Sequence, residues 1–301
     1  MTYITMSLIS HLPITLNNIT GEDIINEFLL HQCELLRIYH QKTPKTLNKN
    51  ITNCAVIVEP RSDHLLLEAV CRNVMYFLPN DWDLIIFSYD EQKVRERLQN
   101  IEFIFYPLEK SSFDGEEYSK LLLSLDFWSK IPSDNILIFQ TDSYIVRKFS
   151  EDYINYIKKF PFIGGIYRFS NDDDYDKCII CPTNKNFCIN GGFSFRNKQA
   201  MIDCIKNVTF SDIIAFRINK QLKIIPVHLE GEDVIFEHSL HMLNYELPSE
   251  KDCKSFCTQT TYDLTNYHAV HGFNKKYVYS QFLYLLRPNI IDFSQELSIL
   301  N

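Results

Sequence analysis

The sequence contains no block of Lys or Arg. Its 30 basic residues are outnumbered by 38 acidic ones, for a net charge of -8, so the basic stripe that a phosphate backbone requires is missing and nucleic acid is not expected as a partner. A long apolar run is also missing near the start. The segment MTYITMSLISHLPITL lacks a basic beginning, and Pro13 interrupts an apolar stretch already too short for a signal peptide or a membrane span. A cytoplasmic protein with no membrane span is therefore expected, in the host cytoplasm or the virion if the source is viral, which the abundance of Ile, Asn, Lys, Phe and Tyr would fit. There is no Gly-x-Gly-x-x-Gly and no Walker sequence, which argues against a dinucleotide dehydrogenase and a phosphate-loop ATPase. No repeat with a period of about 20 to 50 residues occurs, and no Gly/Ser-rich or Pro-rich linker divides the chain.

What is present is a chain of 301 residues with 46% hydrophobic content, enough to bury a large core as one elaborated α/β domain or two small ones. Nine cysteines are an odd number, and without an export signal reduced thiols are expected. The sequons at Asn18, Asn50 and Asn207 are then chance matches.

Short apolar runs alternate with amphipathic ones. A helix is expected over Gly21 to His40, and a polar joint over Pro44 to Asn53 separates this helical extension (1-50) from the rest (51-301). Strands are expected at Cys54 to Val58, Leu84 to Ser88, Ile101 to Tyr106 and Ile136 to Phe139, with helices at His64 to Phe77, Gln92 to Leu98, Glu116 to Lys130 and Glu151 to Phe160. Such alternation predicts βαβ units and a mixed, mostly parallel sheet flanked by helices. NILIF is apolar at successive positions, as a strand covered on both faces should be.

Ligands in open α/β sheets bind beyond the carboxyl ends of strands, where NILIF runs into Gln140, Thr141, Asp142 and Ser143. Asp142 could equally be a turn or helix cap. Asn190-Gly191-Gly192 permits close approach of a ligand, although most Gly pairs are turns. Glu232 and Asp233 open a helix over Gly231 to Leu243, a position that the helix dipole favours for acids whatever their role.

Several of these pieces together resemble the GT-A-fold glycosyltransferases of a group found in bacteria and large DNA viruses. The matches are YSKLLLSLDFW, ILIFQTDSYI, FIGGIY, NGGFSFRNKQAM, the acids of GEDVIF, and HAVHGF, in that family's order from Glu59 to about Phe273. The resemblance implies a GT-A-like, Rossmann-like nucleotide-binding domain and transfer of a sugar from a nucleotide donor, a UDP- or GDP-sugar, to a hydroxyl of a glycan or protein acceptor. It also places the nucleotide near VEPR, making Glu59 and Arg61 donor-site candidates, against the alternative of a surface ion pair.

Departure of a nucleoside diphosphate requires its developing negative charge to be neutralised by a divalent cation or basic groups. Where most GT-A enzymes carry Asp-x-Asp, this chain has Thr141-Asp142-Ser143. Mg²⁺ or Mn²⁺ held by diphosphate oxygens and waters can manage with one or two protein carboxylates. The resemblance points to a late histidine as second ligand, His271 or failing that His268, and an imidazole favours Mn²⁺ over Mg²⁺. Lys275, or Lys276 beside it, could reach the diphosphate. By the same resemblance Asp233 is the base that deprotonates the acceptor in an inverting transfer, Glu232 orients the acceptor or acts as alternate base, and Gln140, Thr141, Ser143, Asn190, Gly191 and Gly192 line the donor.

Other patterns carry less. Cys178-x-x-Cys181 with Cys188, Cys253 and Cys257 has poor spacing for zinc, and free thiols fit better. His238 and His241 lack the glutamate of a zinc-protease helix. Trp82 and Trp128 are expected in helical core patterns. A nucleotidyltransferase would need a basic, Gly-rich loop after the first strand, which Pro60-Arg61-Ser62-Asp63 is not. The rival from another class is a catalytically silent protein that binds a glycan or nucleotide sugar.

Overall fold

The structure, a computed structural model, describes residues 21–167, 187–220, 231–258 and 267–272. The expected alternation is observed. Helix α1 (Gly21–Lys42) precedes β1 (Asn53–Val58), α2 (Leu67–Phe77), β2 (Trp82–Ser88), α3 (Glu91–Arg97) and β3 (Phe103–Pro107). Then come α4 (Gly115–Leu122), α5 (Leu125–Lys130), β4 (Asn135–Phe139), β5 (Ser143–Ile145), α6 (Glu151–Ile157) and β6 (Phe162–Tyr167). Further on lie β7 (Cys188–Asn197), α7 (Lys198–Asn207), α8 (Phe210–Asn219), α9 (Glu232–Met242), α10 (Glu250–Phe256), β8 (Cys257–Thr258) and β9 (Ala269–His271).

The main sheet has the order β3-β2-β1-β4-β7-β6. Its first four strands are parallel, while β7 runs antiparallel to both β4 and β6. Every residue of β1 and β2 is buried, which explains the apolar runs Cys54 to Val58 and Leu84 to Phe87: helices cover both faces, and the buried Asp83 is tolerated because Asn48 donates to it (2.9 to 3.1 Å). The fold is thus a mixed, mostly parallel α/β sheet flanked by helices.

Two expectations need correction. The helix foreseen over Glu116 to Lys130 is two helices, because the Ser124 hydroxyl accepts from Phe127 N (3.2 Å) while donating to Leu121 O (2.7 Å), ending one helix and capping the next. Trp82 opens strand β2 instead of lying on a helix. It is 1% exposed, and Trp128 is fully buried on α5, so both are core, as expected. Among the described residues no helix is long and apolar enough to cross a membrane.

A second, smaller sheet of order β5-β9-β8 sits just past the carboxyl end of β4. In it Ser143 pairs with His271, antiparallel. That pairing carries the chain's late segment back to the turn that follows β4.

Candidate active site

The turn after β4 is tied by reciprocal bonds. Ser143 N donates to Gln140 O (3.0 Å), and Gln140 N donates to the Ser143 hydroxyl (3.2 Å). The same hydroxyl donates to Gly192 O on β7 (3.2 Å), so the buried Ser143 joins the turn to the sheet. Across the small sheet, Gly272 N donates to Asp142 O (2.9 Å). His271 is thereby brought against Asp142, with Nε2 3.2 Å from Asp142 Oδ1 and also 3.2 Å from Gln140 Oε1.

His268 is not brought there. Its ring stacks on Tyr153 at 3.8 Å between centroids, its Nδ1 lies 3.0 Å from Ser255 O, and burial pushes its pKa down. The register of β5 on β9 therefore separates the two histidines and leaves His271, the first candidate, beside Asp142.

The parallel pairing of β1 with β4 places their carboxyl ends side by side, Ile57 opposite Phe139. Glu59 and Thr141, each two residues beyond, consequently meet at 3.5 Å. Glu59 is buried and grips Arg61 through both carboxylate oxygens (2.7 and 2.8 Å), while the Arg61 side chain is about half exposed. An ion pair with one exposed member adds little stability, but it holds a guanidinium at the rim. His64, lowered in pKa chiefly by burial, lies close enough to Glu59 and Asp142 to feel both charges.

A second cluster forms at the start of α9. Asp233 Oδ2 accepts from Gly191 N (3.0 Å) and Oδ1 from Val234 N (2.8 Å). Burial first, then the neighbouring Glu232 charge, pushes its pKa up to about 6, against the lowering effect of those two N–H donors and Arg196. Glu232 is itself committed, with Oε1 2.8 Å from Arg196 Nη2 and both side chains almost completely buried. Arg196 also donates to Ser194 Oγ (2.9 Å) and Gly191 O (3.2 Å), and its guanidinium lies over the rings of Phe162 (5.0 Å) and Phe236 (5.6 Å).

Two adjacent glycines join the clusters. A β-carbon on Gly192 would collide with His271 Nε2 and stand 2.6 Å from Gln140 Oε1; one on Gly191 would collide with Arg196 Nη2 and stand 2.8 Å from Glu232 Oε1. The α-carbons of neighbouring residues are about 3.8 Å apart, so Asp142 and His271 on one side and Asp233 and Glu232 on the other share a single stretch of backbone. That stretch is freed by a register irregularity: β6 pairs Gly164 with Ser194 but Gly165 with Asn190, skipping the residues between. Asn190 Oδ1 accepts from Gly192 N (2.8 Å) and pins the loop.

The donor set suits a divalent cation that is partly held by its substrate. One carboxylate, one imidazole and one amide oxygen converge, and the other ring nitrogen of His271 is buried without a partner. Among the described residues no group of three or more His, Cys, Asp and Glu could hold a metal, so the remaining positions would fall to substrate oxygens and water.

Of the residues expected from sequence, Glu59, Arg61, Gln140, Thr141, Asp142, Ser143, Asn190, Gly191, Gly192, Glu232, Asp233 and His271 fall within these two linked clusters. Lys275 and Lys276 lie outside the described residues, as do Pro13, Asn18, Cys178 and Cys181. Sequence reasoning missed Arg196. An arginine inside the strand-like FSFRN run was the available signal, since a charge there needs a buried partner.

The model of the family described as "Protein of unknown function (DUF5672)" matches residues 100–273, more than half of the chain. The chain belongs to this family. The matched range of the DUF5672 family holds every element of both clusters except Glu59, Arg61 and His64. No curated protein matches. Among solved structures, mouse xyloside xylosyltransferase 1 in its apo form is similar at 13% identity and a TM-score of 0.48, over 74% of this chain and 98% of that one.

Proposed function

We propose that this DUF5672 member is a glycosyltransferase that moves a sugar from a nucleotide-sugar donor to an acceptor hydroxyl, with inversion and with help from Mn²⁺ or Mg²⁺. The observation that carries the reading is the Gly191-Gly192 junction, which puts a carboxylate–imidazole pair beside a carboxylate of raised basicity. A diphosphate needs the first and an acceptor hydroxyl needs the second.

Asp142 and His271, with Gln140 Oε1, are the residues to hold the cation, which when bound would offset the negative charge developing on the departing diphosphate. Arg61, held by Glu59, and Thr141 lie at the rim for donor contacts, and Ser143 and Asn190 shape the backbone around the sugar. Asp233 accepts the acceptor's proton as the acceptor oxygen bonds to the anomeric carbon and the bond from that carbon to the diphosphate oxygen breaks. Glu232, locked to Arg196, acts on Asp233 through its charge and is not free to orient an acceptor.

Nucleotide-sugar binding by calorimetry, with and without Mn²⁺, tests the donor half. Wild type should bind at least one UDP- or GDP-sugar in a Mn²⁺-dependent way that Asp142→Ala abolishes. Equal affinity in the two proteins for every donor tested overturns the reading. The single carboxylate of Thr141-Asp142-Ser143 favours a second reading, a silent binding protein. Donor turnover that disappears in Asp233→Ala excludes it.

A further inference from the structure

A cavity of about 460 Å³ opens between α1, α2 and the end of α3, and none of its lining residues belongs to the two clusters above. Cys33, Arg37 and Gln41 line it from one face of α1 at four-residue spacing, and Glu68 and Arg72 do so from α2. Arg97, the last residue of α3, lines it as well. Three helices thus each send one arginine to the same space, which is of the size that holds a small molecule.

The carboxylates of the lining do not match these guanidinium groups. Glu68, the buried one, serves two arginines at once: Oε1 accepts from Arg37 Nε (2.6 Å) and Arg72 Nε (2.7 Å), and Oε2 from Arg37 Nη2 (2.5 Å). Arg72 is 2% exposed, gives Nη2 to the carbonyls of Arg97 (3.0 Å) and Gln99 (3.2 Å), and keeps Nη1 without a partner among the described residues. Arg97 Nη1 donates to a backbone carbonyl, that of His64 (2.6 Å). The other two glutamates of the lining, Glu34 and Glu96, are exposed, where water screens them, and Glu96 accepts from Gln92 within α3 (3.0 Å). Cys33 adds no charge, since burial above all pushes its thiol up to about 12.

Buried positive charge in excess of its carboxylates is costly until an anion meets it. The chain as a whole carries a net charge of -8, so an anion is repelled from most of the surface and drawn to a local excess of this kind. We propose that the cavity between α1, α2 and α3 is a binding site for a small oxyanion, a phosphate- or carboxylate-bearing molecule, gripped by Arg37 and Arg97. Those two side chains are partly exposed and within a ligand's reach. The enclosed Arg72 stands behind them and contributes through its charge. This site stands whether or not the chain transfers sugars.

The test is calorimetric titration of the full chain, in metal-free buffer of low salt, with inorganic phosphate, pyrophosphate and citrate. At least one should bind, more weakly as salt is added, and preference for the phosphates or for citrate tells which oxyanion the cavity takes. Arg37→Ala and Arg97→Ala should each weaken that binding about 10-fold or more, as for a lost charge-assisted hydrogen bond. Arg95→Ala removes the same charge from α3, where Arg95 pairs with Glu91 (2.6 Å) outside the cavity, and should change the affinity less than about twofold. Asp142→Ala should bind as the wild type does. Arg37→Ala leaves Glu68 paired with Arg72 and so keeps the fold, and it decides the matter if Arg97→Ala melts early. The bound anion should also raise the Tm of the wild type and not that of Arg37→Ala. No binding of any probe, equal affinity in the wild type and Arg37→Ala, or binding lost in Asp142→Ala each overturns the site. The glycosyltransferase reading is untouched by any of these results, because its own test is donor binding in Mn²⁺.

Discussion

Gly192 lies against the imidazole of His271 so closely that a single added methyl would displace it. Gly192→Ala should therefore push His271 and Gln140 apart, at a cost of about 1–3 kcal/mol for overpacking. Mn²⁺-dependent nucleotide-sugar binding should be lost along with a drop in Tm. Gly115 meets nothing within 4 Å, so Gly115→Ala should bind normally and melt no lower. Calorimetry and thermal melts of the two variants side by side check the contrast.

Asp233 should set the pH dependence of turnover. With its pKa pushed up to about 6 by burial and by Glu232, kcat/KM should rise with pH through about 6 as the carboxylate becomes a base. Asp233→Asn should reduce turnover by about 10²–10⁴-fold while leaving donor affinity nearly intact. A flat profile between pH 5 and 7 in the wild type, measured as donor consumption, would remove Asp233 from the role.

The same group makes a stability prediction of definite sign. Its folded pKa stands above the ordinary value of 3.8, so the native state holds the proton more tightly than the unfolded chain does. The stability it contributes is present below about pH 3.8 and is lost as pH rises through about 6. Denaturant melts of Asp233→Asn should show a shallower fall in stability than wild type across that window.

Glu232→Gln should be strongly destabilising, by roughly 3–5 kcal/mol, because it strands the fully buried Arg196. Replacing both together, with Arg196→Met and Glu232→Leu, should recover much of that loss, since neither charge is then left alone. Urea denaturation of the single and double variants measures the coupling directly.

Much of the fold was legible because the central strands are covered on both faces. Cys54 to Val58 and Ile136 to Phe139 announce themselves as unbroken apolar runs. The three-residue strands Ser143–Ile145 and Ala269–His271 do not, since so short a segment has no period to detect. That is also why sequence could rank His271 above His268 only by resemblance: what separates them is a cross-strand register formed only in three dimensions. Asp142, Gly191, Gly192 and Asp233 were found as motif residues. Arg196 sits inside the FSFRN run without a signal of its own, because what marks it is burial against Glu232.

The pairing of Ser143 with His271 has a consequence in time. Gln140 and His271 touch although 131 positions separate them along the polymer, so the ring of chain between them must close before an imidazole stands beside Asp142. Closures of that span are slow compared with the local β1, α2 and β2 contacts. In refolding from denaturant, secondary structure should return first, and the capacity to capture Mn²⁺ with a nucleotide should return later.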